Sequence, residues 1–160
     1  MTELLRLEII ENDKGGHEDL IFEIPRLVNE STFDTYYFAL AIEPKNGLSE
    51  IKNAVAGLLK SWKSVLTKIQ NGETVHLPIE FSDEYTGCVQ VKSSSENFQL
   101  NYGYSRREGW SVDPINPINY FNSITDFKSE NEKSISVPKI EFLNGLIEQI
   151  NKLKNKENVG

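Results

Sequence analysis

Leu48, Ile51, Val55, Leu58, Leu59, Trp62, Leu66 and Ile69 recur at three- and four-residue steps through the middle of the chain. That spacing sets them along one stripe and predicts an amphipathic helix over 48–70. Glu50 in its first turn and Lys63 and Lys68 near its end complement the helix dipole. Asn71-Gly72 supplies the stop, because Gly readily takes the left-handed conformation beyond a helix. Gly57 costs about 1 kcal/mol against Ala in mid-helix, which points to close packing against a sheet at that level. One apolar stripe needs a partner surface, so the flanking sequence must supply one.

The flanks read mostly as strands. LLRLEII (4–10) and DLIFEI (19–24) are strand-like runs separated by the turn signal Asn12-Asp13-Lys14-Gly15-Gly16, which makes a first hairpin. Pro25 ends it. TYYFALAI (35–42) is a continuous apolar and aromatic run between Asp34 and Pro44, and reads as a central strand covered on both faces. After the helix, TVHLPIEF (74–81) alternates: Val75, Leu77, Ile79 and Phe81 on one face, Thr74, His76, Pro78 and Glu80 on the other. Pro78 cannot donate to a ladder and calls for an edge strand or a bulge. YTGCVQV (85–91) and NFQLNYGYS (97–105) form a second hairpin, with a short strand expected at 110–112. Residues 113–128, with two prolines and no sustained period, read as an ordered loop.

Residues 134–137 suggest a last short strand. A C-terminal helix follows, with Ser136 as its cap, Pro138 in its first turn, and Ile140, Leu143, Leu146, Ile147, Ile150 and Leu153 as its buried stripe. The expected architecture is α+β: a largely antiparallel sheet of five to seven strands packed against the long central helix and the C-terminal helix. Residues 1–154 are expected to form one domain and 155–160 a disordered tail.

Composition narrows the function classes. The formal net charge is -7, which opposes binding to nucleic acid, whose phosphates demand Lys and Arg. No segment approaches the ~20 apolar residues of a membrane span. The N-terminus lacks the basic and apolar regions of a secretory signal, and Cys88 is the single cysteine, so a cytoplasmic location is expected. His17 and His76 have no cysteine or second histidine at ligand spacing, so neither a metal nor a cofactor is expected. Both read as surface histidines, and Cys88 as a structural thiol.

The densest candidate for function is NYGYSRREGWSVDP (101–114). Tyr102, Tyr104 and Trp110 either pack on the sheet or project as anchors. Tyr, Trp and Arg are the residues that binding hot spots favour. Tyr104, Arg107, Glu108, Trp110 and Asp113, with Asp83 and Glu84 from an acidic turn, form the candidate partner-binding set. Asn116, Asn119 and Asn122 add donors and acceptors in the loop beyond.

The run YGYSRREGWSVDPINPINYFNSITDF, followed by the final amphipathic helix, resembles small acidic immunity proteins of bacterial polymorphic-toxin and contact-dependent growth inhibition systems. That resemblance implies a non-catalytic cytoplasmic protein. It would bind the C-terminal domain of one cognate toxin, a basic nuclease for example, and block its active site or substrate entry. Two other readings stay open. One is a small hydrolase using His76 with Glu80 and Glu84. The other is a non-catalytic adaptor subunit.

Overall fold

The computed structural model describes residues 3–42 and 48–155. The central stripe forms the helix it predicts: α2 spans Leu48–Lys68, with Ile51, Val55, Leu58, Leu59, Trp62 and Leu66 buried. Around it stand two antiparallel sheets, so the strands expected in one sheet are divided. The first has three strands, β1 (Arg6–Ile9), β2 (Leu20–Ile24) and β3 (Val28–Phe33), in chain order. The second contains β4 (Thr74–Phe81), β5 (Thr86–Ser93) and β6 (Asn97–Ser105). Two short strands, β7 (Lys128–Ser129) and β8 (Ile135–Pro138), share the outer edge of β6. The helix α3 (Lys139–Asn155) packs along α2. The expected tail beyond Asn155, and residues 1–2 and 43–47, lie outside the described residues.

Both expected hairpins form, β1 with β2 and β5 with β6. Phe98, Leu100 and Tyr102 of β6 face inward together. Phe98 meets Phe142 of α3, and Tyr102 meets Phe22 and Phe33 of the three-stranded sheet. Trp62 of α2 sits edge-on to Phe22, its ring centroid 6.4 Å away, and donates its indole N–H to the Pro78 carbonyl at 3.1 Å. One apolar cluster therefore joins both sheets and the helices.

Pro78 meets both of its expectations. β4 is at the end of the strand order, and its register with β5 slips between Pro78 and Glu80. This bulge breaks the alternation read from the sequence. His76 and Pro78 pair opposite Gln90 and Cys88, on one face, whereas Glu80 pairs opposite Gly87, on the face of Val89 and Tyr102. A single extra residue has carried Glu80 to the other side of the sheet.

Several local expectations are corrected. Residues 35–42 form no central strand: Tyr36–Ala41 is a short helix, α1, and only Phe38 is fully buried. A continuous apolar run carries no period, and tertiary contacts decided its form. Thr35 begins that helix by donating its hydroxyl to Asp19 at 2.7 Å and its N–H to the Gly16 carbonyl at 2.8 Å. The polar segment VNESTF, which shows no strand signal, is β3. It follows a tight turn with Arg26 at φ 72°. The short strand expected at 110–112 is instead a turn of 3-10 helix, Gly109–Ser111.

At the C-terminal helix, Ser136 lies in β8 and Pro138 ends it, paired with Asn97, so neither opens the helix. Its buried stripe is Phe142, Leu146, Gln149, Ile150 and Leu153. Ile140 is 74% exposed and Ile147 is exposed as well. The strand leads directly into the helix and so sets its rotation. Gln149, buried within the stripe, accepts from the Leu7 N–H at 3.1 Å and donates to Glu3 at 2.9 Å, tying the helix to β1. Gly57 allows a close approach, but of the loop and not of a sheet: a Cβ there would stand 3.1 Å from Ile115.

The segment expected as an ordered loop over 113–128 is one up to Phe127, with Lys128 opening β7, and it closes the second face of the five-stranded sheet. Tyr120 shares a hydrogen bond with Ser105 at 2.7 Å, Phe127 packs on the His76 ring, and the Phe121 carbonyl accepts from the His76 N–H at the free edge of β4. His76, expected on the surface, is buried for this reason.

The two readings of α3 diverge in a measurable way. Phe142→Ala should cost about 3–5 kcal/mol in urea unfolding, as for a fully buried aromatic. Ile140→Ala should stay within about 0.5 kcal/mol. Comparable losses at both positions would restore the sequence-derived stripe.

Candidate functional site

The chain ends β6 at Ser105 and immediately crosses the 82–85 turn. Gly109 donates its N–H to the Ser82 carbonyl at 2.7 Å, and a Cβ at Gly109 would come within 2.7 Å of Ser82 backbone atoms. Only glycine permits this approach. The Ser111 N–H and hydroxyl both close onto the Glu108 carbonyl, at 3.0 and 2.8 Å. The 3-10 turn is thus fixed at both ends, and Trp110 projects from it with 66% of its surface exposed.

Trp110 borders a shallow groove of about 420 Å³ with Tyr37, Leu40 and Ala41 of α1 and with Val112, Asp113 and Pro114. Tyr37 donates its hydroxyl to Asp83. That bond, with burial, pushes the phenol up to about 12, so it remains a donor at neutral pH. Asp113 accepts the Ile115 N–H at 3.0 Å and stays exposed, as do Glu84 and Glu108. Trp110 and Asp113 therefore line one groove, Asp83 is tied to its edge through Tyr37, and Glu84 and Glu108 lie on the adjoining turns.

Arg107 and Tyr104 lie elsewhere. Arg107 donates to the Ser123 hydroxyl at 2.9 Å, and its guanidinium lies 5.8 Å from the Tyr120 ring centroid. It is half-buried and braces the loop. Tyr102 is core. Tyr104, one strand period further, opens into a different hollow of about 520 Å³, lined by Ser31, Phe33, Glu80, Tyr85, Tyr102, Tyr104 and Glu130.

This second hollow is polar and aromatic. Glu80 enters it because of the β4 bulge. It accepts from the Tyr85 hydroxyl at 3.1 Å and from Tyr102 at 3.5 Å. Gly87 makes room: a Cβ there would stand 2.6 Å from the Tyr102 hydroxyl and 2.9 Å from a Glu80 oxygen. Burial raises the Glu80 carboxyl above its ordinary value. The tyrosine bonds oppose the shift, and the negative charges of Glu130 and Asp34 reinforce it.

His76 and Glu80 do not meet. His76 shares a hydrogen bond with Gln90 at 3.2 Å under the loop, and burial lowers its pKa. Glu80 faces the opposite side of the sheet, and Glu84 is exposed in the turn. Cys88 is wholly buried beside Tyr120, and burial pushes its thiol up to about 12, which disfavours the reactive thiolate. Among the described residues, no group of three or more His, Cys, Asp or Glu converges to hold a metal ion, and no helix is long and apolar enough to cross a membrane.

Sequence reasoning missed Tyr37, Leu40, Tyr85, Ser31 and Glu130. Tyr37, Leu40 and Ala41 stand at helical spacing, so a helical reading of 36–41 would have placed them on one face. The contributions of Ser31 and Glu130 depend on how distant strands come together and have no local signal.

Compared with known proteins, the chain matches no family model, no curated sequence and no solved structure.

The raised Glu80 carboxyl has a consequence for stability. The folded chain holds this proton to higher pH than the unfolded chain, so the group's contribution is fully present below its ordinary value of 4.5. It is lost as pH rises through the folded value. Glu80→Gln is fixed in the uncharged form. It should be more stable than the unsubstituted protein at about pH 7, and the gain should fade below about pH 4. Urea unfolding across this range measures the difference. A gain that persists undiminished in acid would have another cause.

Proposed function

We propose that this chain is a binding module that covers a basic protein partner, and that its partner is the C-terminal toxin domain of a bacterial polymorphic-toxin or contact-dependent inhibition system. The observation that carries the binding reading is Trp110, exposed on a pinned turn at the rim of a groove that Asp113 also lines, with Asp83, Glu84 and Glu108 exposed on the adjoining turns. A large aromatic held in place loses little freedom on binding, and an exposed one contributes most when a partner desolvates it. The surrounding carboxylates, on a chain of net charge -7, attract a basic surface and fix its orientation.

The toxin assignment draws support from the resemblance carried by residues 102–127 and the final helix. In that role the module neutralises its partner by occluding the active site or the path of the substrate. The acidic rim would occupy the surface on which a basic nuclease receives phosphates. The chain itself needs no catalytic group for this.

The test is copurification with the toxin domain encoded by a neighbouring gene, followed by measured binding kinetics. Trp110→Ala should weaken binding by about 2 kcal/mol or more, mainly through faster dissociation. Charge reversal at Asp83 and Glu84 should slow association and reduce its salt dependence. Undiminished nanomolar affinity in the triple variant, with its circular dichroism unchanged, would remove this face from the interface.

A further inference from the structure

We propose that the hollow between β3, β4 and β6 binds an organic cation, an alkylguanidinium or alkylammonium group, held by Glu80 and Glu130 against the rings of Tyr85 and Tyr104. Its volume of about 520 Å³ falls in the range of small-ligand sites, roughly 300–1,000 Å³. The inference does not rest on the partner-binding reading, because no residue of the Trp110 groove lines this hollow.

The lining selects the ligand class. Glu80 and Glu130 bring negative charge, and among the described residues no Lys or Arg lines the walls. Among the described residues neither carboxylate is in an ion pair. An anion would be repelled. A metal ion would find carboxylates from only two of the described residues, with a serine hydroxyl, phenols and a phenylalanine around them, which is a poor set of hard oxygen ligands. Aromatic faces and carboxylates together suit a cation carried on a carbon chain, because ring quadrupoles attract it and the apolar edges pack against its stem.

Geometry also supplies preorganisation. The Tyr85 and Tyr104 rings meet edge to face with centroids 5.6 Å apart. Tyr85 and Tyr102 hold the two oxygens of Glu80 from either side, leaving further lone pairs on that carboxylate for a ligand N–H. The Gly87 position, where a Cβ would collide with Glu80 and Tyr102, keeps this arrangement open. Phe33, stacked on Tyr102 at 6.4 Å, forms an apolar wall for the ligand's stem.

Titration of the isotopically labelled protein with butylguanidinium or butylammonium chloride, followed by amide NMR, tests the proposal. Saturable shifts centred on Gly87, Glu80 and Tyr104, with a dissociation constant of about millimolar or tighter, are expected. Glu80→Gln, which preserves shape, should weaken binding about tenfold or more, and Tyr104→Leu should weaken it severalfold. Trp110→Ala should leave it unchanged. Shifts that remain linear and match those from sodium chloride would overturn the proposal, as would equal affinity in Glu80→Gln. A capped arginine peptide distinguishes the source of the cation. Binding tighter than butylguanidinium points to a side chain of a protein partner, and weaker binding to a free small cation; either result sustains the chemistry.

Discussion

The indole of Trp62 is where the long helix and both sheets meet. Its ring edge meets Phe22 of the three-stranded sheet, and its N–H satisfies the Pro78 carbonyl of the five-stranded one. Burying an indole whole is favourable only if that N–H finds an acceptor. The acceptor it finds stands at the bulge. The contact that locks the core therefore also anchors the place where β4 changes face, and Glu80 reaches its hollow as a consequence.

The second face of the five-stranded sheet imposes a further demand. Its strands carry Cys88, His76 and Ser105 there, all buried. The loop after β6 covers them, using Tyr120, Phe121 and Phe127 as a lid. To reach that position it must first cross the 82–85 turn at Gly109 and pass over α2 at Gly57. Trp110 lies on the outside of that crossing. Its exposure follows from the path the loop takes to cover the sheet, and this places an aromatic anchor on a rigid support.

The legible parts of the fold were those with a local period. The α2 stripe, the two hairpins and the bulge-or-edge role of Pro78 all follow from residue spacing and turn chemistry. The 35–42 run misled because an unbroken apolar segment fits a buried strand and a short helix alike, and Asp19 and Gly16 decided between them. The α3 stripe misled because β8 runs into the helix without a cap, so its phase was set by the strand. Ile140 was drawn into the pattern by hydrophobicity alone.

The site divides in the same way. From sequence came an aromatic, charged segment and a separate acidic turn, since residue type alone marks Trp110, Asp113, Asp83 and Glu84 as capable of recognition. Tertiary structure decided which of them share a surface, because Tyr37 from α1 bridges Asp83 to the groove while Arg107 turns away to brace the loop. It also decided that Glu80 and His76 part company across the sheet. Alternation in a strand is a local rule, and one inserted residue reverses it, so only the pairing of β4 with β5 could say which face each side chain would occupy.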